Sequence, residues 1–181
     1  MECNTKGEYN PIVQDVKKGK LRYYHGPIFW NYGFVPQTWE NPNEKDSWTG
    51  YYGDGDPLDV VEIGSIEKDL GDVSVVRPLG ALAMIDDGEL DWKLICISAD
   101  DPLADKLQDI EDVYTYFPGT VSGIREWFRW YKTPDGKPVN GYGHGERALP
   151  AADAKKAIAE TNAHYKAAAA GTADKGKLWF P

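Results

Sequence analysis

Apolar and polar positions change their period part-way along the chain. Val60-Val61-Glu62-Ile63, Val73-Ser74-Val75-Val76, Leu79 to Ile85 and Trp92 to Ile97 are short, β-branched runs bounded by Gly or Asp. Runs of that kind predict strands. Before them, residues 7–60 carry turn signals at Asn10-Pro11, Gly26-Pro27, Asn41-Pro42 and Asp56-Pro57, which predict further short strands separated by turns. After them the spacing becomes helical. Asp101-Pro102 predicts an N-cap with Pro at the first helical position, followed by Leu103, Leu107, Ile110 and Tyr114 on one face. Ile124, Trp127, Phe128 and Tyr131 predict a second helix, and the Ala- and Lys-rich stretch from Pro150 to Ala170 a third. Strands in succession without intervening helices, followed by helices, predict the α+β class: a small β-barrel with flanking helices. The apolar tail Lys177-Leu178-Trp179-Phe180-Pro181 must pack against the body or stay exposed.

Composition narrows this picture. The 181 residues, 41% of them hydrophobic, suit a single domain over 1–181 with a real core. No apolar run approaches the roughly 20 residues of a membrane helix, and the N-terminus lacks the apolar stretch of a signal peptide. The expectation is therefore no membrane partner and a cytoplasmic setting. The net charge of −9, from 29 acids and 20 bases, argues against nucleic acid and anionic membranes as partners. A phosphate-bearing substrate would need bound cations to reverse the local sign. Of the two cysteines, Cys96 lies in an apolar run and reads as a small hydrophobe. No disulfide framework or zinc spacing is present, which fits a reducing compartment.

The candidate chemistry begins with Asp54, Asp56 and Asp59 in the run Asp54-Gly55-Asp56-Pro57-Leu58-Asp59. On an extended segment Asp54 and Asp56 share a face, and Pro57 bends the path so that Asp59 returns toward the same centre. Three crowded carboxylates repel unless cations or protons neutralise them, and such oxygen donors suit Mg2+, Mn2+ or Ca2+. Read alone, the run fits an Asx-rich turn as well as a metal site. It does not fit an EF-hand loop, since Leu58 and Ser65 stand where ligands are required. A second acidic run, Asp86-Asp87-Gly88-Glu89-Leu90-Asp91-Trp92-Lys93, lies between predicted strands and reads alone as a polar hairpin. Arg22 and Lys132, the latter following Tyr131, are the basic residues placed to neutralise phosphate charge. His25, His144 and His164 show no ligand spacing, and Gly141-Tyr142-Gly143-His144-Gly145 lacks the context of a P-loop and reads as a flexible turn.

Asp54-Gly55-Asp56-Pro57-Leu58-Asp59-Val60 resembles the signature of the soluble family I inorganic pyrophosphatases, in their eukaryotic form. Asn10-Pro11-Ile12-Val13-Gln14-Asp15, Lys18-Gly19-Lys20-Leu21-Arg22, Asn31 to Glu40, Asp91-Trp92-Lys93, Asp109 to Val113 and Trp127 to Pro138 also resemble family segments, in family order, over roughly residues 2–140. The resemblance implies an OB-type five-stranded barrel with flanking helices. It implies hydrolysis of pyrophosphate to two phosphates by water held between metals, with Mg2+ as cofactor and Mn2+ or Zn2+ as substitutes. Carried over residue by residue, it implies that Asp54, Asp59 and Asp91 ligate the activating metal, with Asp59 shared by a second. Asp86 and Asp91 would hold metal arriving with substrate, and Glu2 a further one. Asp56 would accept the proton of the attacking water. Arg22, Tyr131 and Lys132 would hold phosphate oxygens, with Tyr32 nearby and Lys93 in the same polar site. A homodimer is implied, with Trp179 resembling an interface residue.

The chain departs from the family pattern at two places. A Lys and a Glu expected upstream of Glu2, with further N-terminal strands, do not precede it, so a sheet edge less protected and weaker activity than in a longer relative are expected. Ile28 stands where a family tyrosine is expected. Three competing readings follow from the same residues: hydrolysis of tripolyphosphate or longer chains, an OB-type module binding single-stranded nucleic acid, and a catalytically inert metal-binding chain.

Overall fold

The computed structural model describes residues 1–176 and 178–180; Lys177 and Pro181 of the apolar tail lie outside the described residues. Two small antiparallel ribbons open the chain: β1 (Glu2–Cys3) with β2 (Ile12–Val13), and β3 (Val16–Lys17) with β4 (Lys20–Leu21). The main sheet is built from β5 (Asn31–Phe34), β6 (Asp59–Glu62), β7 (Val76–Asp86), β8 (Glu89–Ser98), β9 (Gly141–Tyr142) and β10 (Leu149–Pro150). Its continuous path runs β10-β7-β8-β6-β5, with β9 also paired to β7. Three helices flank it: α1 (Ile110–Tyr116), α2 (Thr120–Trp130) and α3 (Ala151–Ala169). The expected α+β class holds.

The long β7–β8 hairpin is the spine. Its turn is Asp87-Gly88, both at positive φ (51° and 90°), the mirror-image turn that matches strand twist. β8 then runs parallel to β6, while β5 pairs antiparallel to β6, so the sheet is mixed. From Leu90 to Ser98 every residue of β8 is buried, because both faces of the sheet are covered. On one face Val61, Leu82, Met84, Ile95 and Ile97 pack with Ile110 and Val113 of α1 and Ile124 and Phe128 of α2. On the other, Leu58, Val60, Leu94 and Cys96 pack with Ala154 and Ala157 of α3. Ala81 and Ala83 lie on that second face, and small residues on sheet and helix together let α3 approach closely.

Several boundaries differ from expectation. The strand read at 73–76 begins only at Val76; Val73 and Val75 are exposed and carry no ladder. The first helix does not start at Pro102. Asp101 instead accepts hydrogen bonds from the Leu103 and Ser65 N–H groups, a 3-10 turn covers Ala104–Lys106, and α1 starts at Ile110. The reason is local. Asp109 accepts from Ile110 N–H at 2.7 Å, Asp112 accepts from Asp109 N–H at 3.0 Å, and this reciprocal cap defines the start. The Gly141–Gly145 run is not only a turn, since Gly141 and Tyr142 extend the sheet along β7. In the tail, Trp179 packs on Tyr9 at 4.9 Å between ring centroids and donates its N–H to Thr5 O, and Phe180 lies 5.1 Å from Tyr165.

Candidate active site

Strand alternation places the acidic centre. On β8, Asp91 and Lys93 lie on the same face as Ile95 and Ile97, two residues apart each. On β6, Asp59 occupies that face ahead of Val61, and register sets Asp59 beside Lys93. On β7, Asp86 follows Leu82 and Met84 at the same period. β6 and β8 thus begin acidic and continue apolar into the α1–α2 core, antiparallel β7 ends acidic, and the carboxylates collect at one end of that core.

Lys93 sits in the middle of them with 1% exposure. Its Nζ donates to Asp91 Oδ1 at 2.6 Å and also to Asp59, and it lies 4.9 Å from the centroid of the Phe128 ring. Tyr32 of β5 donates its hydroxyl to the same Asp59. Burial works against the Lys93 charge, but Asp59 and Asp91 outweigh it and hold the ammonium well above its ordinary pKa. Beside this group, Asp86 accepts from Tyr131 Oη at 3.3 Å and from Lys132. Tyr131 is the residue closing α2, so the aromatic stripe of that helix positions both phosphate-binding candidates.

The loop carrying Asp54 and Asp56 differs from the extended reading. Gly55 has φ +88°, and Asp54 Oδ1 accepts the Asp56 N–H at 2.9 Å, closing an Asx turn. The two side chains therefore do not share a face. Asp54 goes inward and Asp56 stands exposed at the rim, its Oδ1 3.4 Å from Thr5 Oγ1. The turn and the acidic site proved to be the same structure. Dehydration in the acidic cleft, then the charge of Asp59, raises the Asp56 pKa.

One oxygen each from Asp54, Asp91 and Glu40 lie within 4.8 Å of one another. Glu40 did not emerge as a site residue from sequence. It sits between Trp39 and Asn41-Pro42, where an acid reads as part of a turn, and nothing local says that it is 3% exposed. Burial, followed by the charges of Asp54 and Asp91, pushes its pKa well above the usual carboxylate range. Asp54 is raised likewise, first by burial and then by Asp91 and Asp56. Burial raises Asp91 to about 6 against the opposing pull of Lys93.

The remaining candidates lie around this centre. Arg22 donates from Nε to Asp135 at 2.7 Å and lies 3.6 Å from Asp15, a buried carboxylate that also takes the Tyr24 hydroxyl at 2.7 Å. Glu2 is exposed; partial burial, then the charges of Asp15 and Asp56, raises its pKa. Ile28 packs against the α2 core beside Tyr24 and Trp30. The structure thus gathers Asp54, Asp59, Asp91, Lys93 and Tyr32, sets Asp86, Tyr131 and Lys132 next to them, and leaves Asp56, Glu2 and Arg22 at the border.

The donor set is all hard oxygen, buried or half-buried and mutually repelling, which fits a divalent cation such as Mg2+ or Mn2+. The family model described as inorganic pyrophosphatase matches residues 1–166. The chain belongs to the inorganic pyrophosphatase family. Against the chloroplastic soluble inorganic pyrophosphatase 6 of Arabidopsis thaliana it is 51% identical over 179 residues, 98% of this chain and 60% of that protein. This member of the inorganic pyrophosphatase family therefore spans less than two thirds of the plant relative. The type I inorganic pyrophosphatase of Toxoplasma gondii superposes with a TM-score of 0.88 at 51% identity, covering 92% of this chain and 73% of the other. The vacuolar soluble pyrophosphatase of Trypanosoma cruzi, truncated at its N-terminal domain and described in complex with PPi, gives 0.87 at 43% identity, covering 91% and 63%. These neighbours bear out the expected fold. Among the described residues no helix is long and apolar enough to cross a membrane.

Proposed function

We propose that this chain hydrolyses inorganic pyrophosphate to two phosphates, with Mg2+ as the working cation and Mn2+ or Zn2+ as substitutes. The observation that carries the reading is the acidic centre in which Asp91 is shared between Asp54 on one side and, through buried Lys93, Asp59 on the other, next to Asp86 with Tyr131 and Lys132. Crowded carboxylates repel one another unless cations or protons neutralise them, and cationic side chains beside them suit an anion brought in with metal. Family membership over most of the chain supports the same reading.

Asp54, Asp59 and Asp91 would hold the activating cation, with Asp59 shared by a second. Asp86 and Asp91 would hold cation that enters with substrate, and Glu2 a further one. Bound cations supply charge neutralisation and lower the pKa of water toward about 7. Asp56, exposed at the mouth, accepts the proton of the attacking water, for which a raised pKa suits it. Arg22, Tyr131 and Lys132 take phosphate oxygens, and Tyr32 steadies Asp59 near them. Lys93 holds Asp59 and Asp91 in register and keeps their repulsion in check. The reading includes one domain over residues 1–181, a homodimer as the assembly and the cytoplasm as the compartment.

Phosphate release from Mg-pyrophosphate tests it, with wild type set against Asp56→Asn. The expected result is release by wild type and a loss of at least about 100-fold in kcat for the variant. No release by wild type that still binds Mg2+ would mean an inert metal-binding chain. Equal release by both would remove Asp56 from its role.

A further inference from the structure

Glu40 has one carboxylate oxygen in use and one free. Oε1 accepts the Trp92 N–H at 2.9 Å, while Oε2 is buried without a hydrogen-bond partner. A buried carboxylate oxygen left unpaired is costly, and this one belongs to the side chain that forms the acidic trio with Asp54 and Asp91. The backbone of Glu40 is also tied to the acidic loop. Its N–H donates to Asp56 O and its carbonyl accepts the Gly55 N–H, both at 2.9 Å. Glu40 therefore joins the two segments that supply Asp54 and Asp91: the loop through its backbone and β8 through its side chain.

We infer that Glu40 is a positioning residue of the Asp54–Asp91 cation site, its free carboxylate oxygen accepting hydrogen bonds from the cation's water shell. The inference rests on the hydrolase reading only for the location of that site. Three negative side chains facing one point raise affinity for a hydrated divalent cation, and the Trp92 bond holds Glu40 at the right depth. A small cavity of about 20 Å³, bordered by Glu40, Trp92, Thr161 and His164, lies beside it with room for one water. A purely structural Glu40 would direct its free oxygen to a water there instead.

Glu40→Gln keeps the shape and the acceptor for Trp92 N–H. Calorimetric titration with Mg2+ alone, without substrate, is expected to show affinity lowered by about tenfold or more. The metal-free melting temperature should not fall, and turnover lost at low Mg2+ should return at high Mg2+. Unchanged Mg2+ affinity in the folded variant, or a loss of metal-free stability with no loss of affinity, overturns the inference. A crystal structure of the wild type with Mn2+ gives a second, independent reading. A cation-bound water on Glu40 supports the inference, and a carboxylate turned to the cavity overturns it. Wild type that binds cation this way yet releases no phosphate leaves the inference standing and removes the hydrolase reading. Phosphate release together with equal Mg2+ binding by wild type and Glu40→Gln removes the inference alone.

Discussion

Lys93 Nζ lies 2.6 Å from Asp91 Oδ1 and bonds Asp59 as well, so one buried cation serves carboxylates from two neighbouring strands. The parallel register of β6 on β8 makes this possible, since Asp59 and Lys93 are direct partners while Asp91 is two residues back on the same face. One ammonium against two carboxylates leaves this group acidic by one charge, and Asp54 and Glu40 beside Asp91 add to the excess.

Removal of that cation should therefore be severe. Lys93→Met leaves buried Asp91 and half-buried Asp59 without their shared cationic partner. The expected cost, in EDTA, is about 3 kcal/mol or more, measured as a shift in urea midpoint. Added Mg2+ should restore part of it, because the two carboxylates then lack a positive charge that a cation can supply. Equal stability of variant and wild type in EDTA would show that Lys93 adds little to the fold.

The pH response should reverse on adding metal. In the folded chain burial raises Asp91 from 3.8 to about 6, so between those values it keeps a proton that the unfolded chain releases. Stability of the metal-free protein then falls as pH rises through that window. Burial shifts Glu40 and Asp54 in the same direction, so both add to the fall. Cations compete with these protons, so the stabilisation by Mg2+ should grow with pH over the same range. Melting temperatures from about pH 4 to 8, with EDTA and with Mg2+, give the two slopes; parallel slopes would disprove the coupling.

Metal withdrawal should also register as stability. At Mg2+ about 100 times its dissociation constant, a single site adds roughly 2.7 kcal/mol. A melting temperature that ignores both Mg2+ and EDTA would mean that the acidic centre does not bind the ion.

Gly53 is a sharp test of how the acidic loop is seated. A Cβ there would meet the Glu40 carbonyl carbon and oxygen at 2.4 Å and the Asn41 nitrogen at 2.8 Å, all of them backbone. Gly53→Ala should cost about 2 kcal/mol and should lower Mg2+ affinity as well, because the Asp54 turn must move away from Glu40. Loss of stability with intact affinity would show that the turn carries its ligand independently of this contact.

Asp109 supplies a control away from the site. Its Oδ1 caps Ile110 N–H at 2.7 Å and also takes Ala151 N–H at 2.8 Å, joining the starts of α1 and α3. Asp109→Ala should lose about 1–2 kcal/mol, with Mg2+ affinity unchanged. A changed affinity would reveal coupling between these helix starts and the acidic centre.

Much of this arrangement was legible in the chain itself. The short β-branched runs of β6, β7 and β8, bounded by Gly or Asp, and the helical stripe Ile124-Trp127-Phe128-Tyr131 are local features of the sequence. Asp59, Asp86, Asp91 and Lys93 take their site roles from the family resemblance, residues 86–93 alone reading as a polar hairpin, and the sheet register is what brings them to one end of the core. Two further features were set by local turn and cap chemistry that periodicity does not report, and a third only by tertiary structure. Asp54 and Asp56 part company because Gly55 takes a positive φ and closes a turn where an extended segment was expected. Helix α1 starts late because the Asp109–Asp112 cap outcompetes the Asp101-Pro102 signal, whose carboxylate is drawn to Ser65. Glu40 becomes a member of the site through Trp92, 52 residues away along the chain. Local periodicity reports which side of a strand a residue occupies. It does not report which distant backbone N–H a buried carboxylate meets, because that depends on how β8 and the 38–41 segment pack, and on the cost of leaving a buried charge unpaired.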